Sequence, residues 1–196
     1  TVDGDGTARD LIIDTNGNTG TILFDGLVGN SNDLDAITIT GNLDLDAAIA
    51  NTTSISVSGT SNLGANVTTT GTQTYTGATT LSGGDRTLTG TTVNFGNTLT
   101  GTTAHDLTIT GNLDLDGALT SVVDLSVSGT SNLGANVTTS GTQTYTGATT
   151  LSGGDRTLAG STVNFGAAVT GTTAHDLIIT GNLDLDGALT SVVDLS

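Results

Sequence analysis

Leu107-Thr-Ile-Thr-Gly111, Leu125-Ser-Val-Ser-Gly129, Gln143-Thr-Tyr-Thr-Gly147 and Thr162-Val-Asn-Phe-Gly166 are the segments whose reading decides the fold. Their terminal glycines are 18, 18 and 19 residues apart, and 15 more residues lead to Gly181. The group then starts again, because His105 recurs as His175 at an offset of 70, and residues 125–174 map onto residues 55–104 with small or conservative changes. Such self-similarity is the mark of a repeat architecture in which each unit lends its apolar face to its neighbours.

Within each segment the side chains alternate: Leu107 and Ile109 share one face, Thr108 and Thr110 the other. A period of two is that of a half-buried strand. After most of these glycines the chain reads Gly-x-x-x-Leu, as in residues 111–115, 129–133 and 147–151, which places a corner between two strands. A weaker third side is carried by Ala118-Leu-Thr-Ser-Val122, Asn136-Val-Thr-Thr139 and Arg156-Thr-Leu158, and Ser152-Gly-Gly-Asp-Arg156 reads as a longer turn. Leu125 for Ile55 and Val169 for Leu99 are exchanges among branched aliphatics, as expected of inward positions that require apolar volume.

The sequence therefore predicts an all-β parallel β-solenoid of roughly ten coils, four to each 70-residue repeat. Residues 1–34 form degenerate leading coils, 35–104 the first repeat, 105–174 the second, and 175–196 the truncated start of a third. The interior is expected to be a column of Leu, Ile, Val and Ala, with Tyr145 and Phe165 in the core. At about 4.8 Å per strand, ten coils make a rod on the order of 50 Å long.

Composition agrees. The chain contains no Lys, Glu, Cys, Met, Pro or Trp, all 19 acidic residues are Asp, and the only cations are Arg9, Arg86 and Arg156. The absence of the best helix formers beside abundant β-branched residues favours strands. A net charge of −16 opposes binding to nucleic acid or anionic membranes, which are held by basic clusters. No run approaches the roughly 18 apolar residues that would cross a bilayer, so membrane insertion is not expected. No cysteine means no disulfide framework.

Gly-Thr-Gln-Thr-Tyr-Thr-Gly-Ala-Thr-Thr-Leu, at residues 71–81 and 141–151, is followed by Arg-Thr-Leu-x-Gly and Val-Asn-Phe-Gly. Across most of the chain this resembles the repeats of filamentous-haemagglutinin-like bacterial exoproteins. The resemblance implies a right-handed parallel β-helix, a place outside the cell or on its surface, and a fibrous, adhesive role.

Candidate chemistry is sparse. His105 and His175, each followed by Asp, stand about four coils or 19 Å apart, too far to share one metal or one scissile bond. Neither catalysis nor a cofactor is expected. The Asn-Leu-Asp-Leu-Asp segments place Asp44, Asp46, Asp114 and Asp116 outward, with Asn62 over Asp44 and Asn132 over Asp114. These oxygens are weak calcium candidates, since they fall short of the about six to eight ligands that the ion takes. Thr108, Thr110, Ser126, Ser128, Thr144 and Thr146 form an outward hydroxyl ladder, the basis for an alternative reading as an ice-binding solenoid. A polysaccharide-acting β-helix enzyme is a remoter alternative, because three scattered arginines do not supply a cleft of mixed charge. The sequons at Asn51, Asn66 and Asn136 are what a Thr-rich repeat produces by chance. Expected partners are further coils of the parent chain or a second copy end to end, and a host or neighbouring cell surface.

Overall fold

The computed structural model describes residues 1–17, 19–102 and 104–196. Among these there is no helix; every element is a strand or turn, and every strand pairing is parallel. The strands stack as a β-solenoid of about nine turns, in agreement with the sequence.

Each coil has three sides. On the first face the inward column runs Leu11, Ile37, Ile55, Gln73, Val93, Leu113, Ser131, Thr149, Val169 and Leu189, each residue the register partner of the next. The second face runs from Ile22 and Leu43 to Leu158 and Ile179, and the third from Val28 and Ile49 through Ile109 and Val127 to Leu185. The strands alternate buried and wetter positions, as in Leu107–Leu115 and Arg86–Phe95, because successive Cβ atoms point to opposite sides of a strand. One continuous core of Leu, Ile and Val results, and no coil could bury such a core alone.

Two aromatic pairs lie in this core. Tyr75 stacks on Phe95 at 5.5 Å between ring centres, and Tyr145 on Phe165 at 5.3 Å, each pair in register on adjacent coils. Each tyrosine hydroxyl donates to a wholly buried glutamine, Tyr75 to Gln73 Oε1 at 3.1 Å and Tyr145 to Gln143 Oε1 at 3.0 Å. The amide of Gln73 donates in turn to the carbonyls of Val67 and Thr89, so a polar group at the centre of the rod is satisfied.

The register refines the count of four coils per repeat. From Ile37 to Leu113, four rungs of the first face, the chain uses 76 residues, whereas the repeat is 70. The missing six are one side of the triangle. Inward residues Ile37, Leu43, Ile49, Ile55, Ser61, Val67, Gln73, Thr79, Leu88, Val93 and Leu99 open eleven successive sides before Leu107 begins the next unit. Eleven strands in a three-sided coil fall a third of a turn short of closure, so the second repeat stands one face round from the first. Ile37 lies on the first face but its counterpart Leu107 on the third, between Arg86 and Leu125; Leu43 lies on the second and Leu113 on the first.

The 15-residue glycine spacing is therefore not a coil. Gly111 stacks on Gly90 and Gly181 on Gly160, each 21 residues earlier, and a Cβ at either position would fall 1.8 or 1.9 Å from the carbonyl oxygen below. Both have positive φ, +136° and +127°, at a corner where the backbones nearly touch, and only glycine suits both demands. Gly166 belongs to another corner, above Thr146.

Candidate surface sites

The hydroxyl ladder forms on the third face as the sequence predicts: Thr108 pairs with Ser126 and Ser126 with Thr144. Thr110, Ser126, Ser128 and Thr146 are exposed, and Thr108 and Thr144 half-buried. The structure adds an earlier rung, because Thr87 pairs with Thr108 and Thr89 with Thr110, so the array is two hydroxyls wide over four coils. Sequence reading missed these two because the step from Thr87 to Thr108 is 21 residues rather than the 18 that separate the later rungs; the alternation of Arg86-Thr-Leu-Thr was the available signal. The array ends where Thr144 meets Asn164 and Asn164 meets Asp184. Ser128 is partly engaged, its Oγ accepting the Gly111 N–H at 3.0 Å. The equivalent residues of the first repeat, Thr38, Ser56 and Thr74, lie on the first face.

Asp44 and Asp114 are half-buried, each with Oδ1 accepting the amide of Asn62 or Asn132 at 2.8 Å, as the predicted stacking requires. Asp46 and Asp116 are exposed. The two copies line shallow polar grooves of about 210 and 260 Å³, one formed by Asn42, Asp44, Thr60, Asn62 and Thr80, the other by Asn112, Asp114, Thr130, Asn132 and Thr150. Among the described residues, no three His, Cys, Asp or Glu side chains converge in a way that could hold a metal ion.

A second use of aspartate was not legible in the sequence. The Oδ1 atoms of Asp85 and Asp106 accept the N–H of Asp106 and Asp124 on the following coil, both at 3.1 Å, and Asp124 Oδ1 accepts that of Thr142 at 2.5 Å. These carboxylates tie one corner to the next, with charge-assisted bonds to backbone donors.

Arg86 and Arg156 are buried, 7% and 6% exposed, where an outward charge would be expected. Arg86 Nε donates to Leu63 O of the coil below at 2.9 Å, Nη1 to Asp85 O at 2.6 Å, and Nη2 to Ser82 O; Arg156 repeats this on Leu133 O and Asp155 O. Burial pulls both guanidinium groups below their ordinary value while the neighbouring Asp85 or Asp155 opposes it. Each arginine pins its Gly-Gly-Asp turn to the stack through bonds to carbonyls, all three nitrogens of Arg86 taking part, whereas Nη2 of Arg156 is buried without a partner. The described residues contain one salt bridge, Arg9 to Asp5 at 3.0 Å, on the exposed first coil.

His175 is buried and its Nε2 lies 2.7 Å from Thr173 Oγ1; His105 is half-buried. They are one repeat apart, about 18 Å along the rod at 4.8 Å per coil, and on different faces. Asn51 is exposed at φ 51°, while Asn66 and Asn136 use their Oδ1 atoms to accept the N–H of Thr87 and Thr157. No helix is long and apolar enough to cross a membrane among the described residues. No protein-family model matches the chain, and neither a curated protein nor a solved structure shows significant similarity to it.

Proposed function

We propose that this chain is a stalk or filament segment of an extracellular, adhesin-like surface protein, akin to the filamentous-haemagglutinin-like exoproteins, and that it is not an enzyme. The observation that carries the reading is the eleven-strand repeat in a three-strand coil. It distributes every repeat-borne feature round the rod, reserving no face for a cleft or a planar ligand, while keeping the core continuous. A spacer gains from that arrangement. The acidic lateral surface suits the same role, because like charge discourages sideways aggregation of long β rods. Further coils of the parent chain, or a second copy at either open end, are the natural axial partners.

Antibody against the chain should label intact producing cells, and labelling only after lysis would count against a surface location. Release of reducing ends from any of a panel of acidic and neutral polysaccharides would refute the non-catalytic reading. Sedimentation that finds only monomer across a wide concentration range would exclude self-association.

One observation favours a second reading, ice binding: the ladder of Thr87, Thr89, Thr108, Thr110, Ser126, Ser128, Thr144 and Thr146 is regular over four coils. Thermal hysteresis that Thr144→Tyr abolishes would establish it in place of the stalk.

A further inference from the structure

Residues 175–196 repeat residues 105–126 with a single change, Thr108 to Ile178. Inside the rod that stretch is covered: Leu133 lies over Leu115, Val137 over Leu119 and Gln143 over Leu125, and all three leucines are buried. On the last coil the same side chains are not. Leu185 and Leu189 are only half-buried, and Leu195 is 45% exposed where Leu125 is 1%. The repeat itself therefore shows what this edge is built to receive: a parallel coil of the same solenoid, apolar on its inner side. The seven large apolar side chains left exposed among the described residues all fall in residues 12–27 or 178–195, at the two ends of the stack.

The opposite edge of the chain offers such a coil. Its inward residues are Val2 on the third face, Leu11 and Ile13 on the first, and Ile22 and Phe24 on the second. The two edges also match in phase. Leu195 ends the stack on the second face, Val2 opens it on the third, and the chain visits the faces in the order first, second, third. A second copy set on the last coil thus continues the solenoid in the same direction, with Val2 over Leu185, Leu11 over Leu189 and Thr21–Phe24 following over Leu195.

We infer that the 196-residue chain joins a second copy head to tail, the first coil of one pairing as parallel strands with the last coil of the other in the register just given. Such a contact uses two different surfaces and does not close, so it propagates into an open filament. It rests on the filament reading above for its biological use, and names the partner and the register that reading leaves open.

The register can be read by cross-linking, because the chain has no cysteine of its own. With Leu11 over Leu189, the outward neighbours Ile12 and Thr190 come about 4.8 Å apart between Cα atoms, within disulfide reach. Both are exposed, so Ile12→Cys and Thr190→Cys leave the core untouched. Asp184 is also exposed on the last coil but on the third face, and Asp184→Cys is the control. Under mild oxidation, Ile12→Cys mixed with Thr190→Cys should form disulfide dimers at least about tenfold faster than either variant alone or Ile12→Cys with Asp184→Cys, since docking raises the local thiol concentration. A chain carrying both Ile12→Cys and Thr190→Cys should give a ladder of linked oligomers on a non-reducing gel. Equal rates in all mixtures would overturn the inference, and so would faster dimers from one variant alone, which would mean pairing of like ends. Labelling of producing cells only after lysis would sink the surface role and leave these rates unchanged.

Discussion

Thr79 and Thr149 are inward-facing, 2% and 1% exposed, and their hydroxyls have no hydrogen-bond partner. A buried polar group left unpaired costs about 1–3 kcal/mol, so Thr→Val, which keeps the branched shape and replaces the hydroxyl with a methyl, should stabilise the rod by about 1–2 kcal/mol at each site. The two positions are repeat equivalents about 18 Å apart along the axis, far enough for their effects to add, giving about 2–4 kcal/mol for Thr79→Val with Thr149→Val. With a urea dependence of about 2 kcal/mol/M, the unfolding midpoint should rise by about 1–2 M with an unchanged slope. Tyr75→Phe is the contrasting control: its hydroxyl is bonded to Gln73 Oε1, and removing it leaves that buried acceptor short of a donor, so stability should fall by about 1 kcal/mol or more. If Thr79→Val and Thr149→Val destabilise the chain as Tyr75→Phe does, the hydroxyls are bonded after all and the reasoning fails.

The same denaturation assay should separate two glycines. Gly111→Ala drives a Cβ into Gly90 O and should cost more than about 3 kcal/mol, whereas Gly84→Ala, at positive φ but in open space, should cost only about 1–2 kcal/mol; equal losses would contradict the corner packing. Burial raises the pKa of both tyrosines, which therefore stay protonated in the folded rod. Stability should be level in this respect below pH about 10 and fall above it by about 1.4 kcal/mol per pH unit per tyrosine, as the unfolded chain loses protons that the folded chain keeps. Tyrosinate absorbance at 295 nm should appear only together with loss of the β-sheet circular dichroism signal; smooth ionisation of a folded rod would be the contrary result. Trypsin should cut the folded chain first after Arg9, whose side chain is 64% exposed, and leave the remainder intact, because Arg86 and Arg156 are buried in their turns. Mass spectrometry showing early cleavage after either buried arginine would refute this.

The alternation of Leu107, Ile109 and their equivalents was enough to read strands, a buried face and a stacked repeat, because a period of two and the hydrophobic driving force are both written locally. The same holds for the stacking of Asn62 on Asp44 and of Ser126 on Thr108. The phase of the repeat was hidden because glycine marks more than one corner: the interval from Gly166 to Gly181 joins different corners, and the 21-residue coil through Arg86 looks like an 18-residue coil with a protruding loop. Arg86 itself was misleading, since a guanidinium normally stays wet, and only the converging carbonyls of Leu63, Ser82 and Asp85 make its burial intelligible. The aspartate ties likewise depend on which backbone N–H lies above each carboxylate, which sequence spacing does not disclose.

Adding a unit to a solenoid lengthens it and adds that unit's own small rotation. Here, because each unit stops one side short of a whole number of turns, adding or deleting a copy would also swing whatever the rod bears at its tip through a third of a circle, and three copies would restore the original heading. Copy number would then set aim as well as reach.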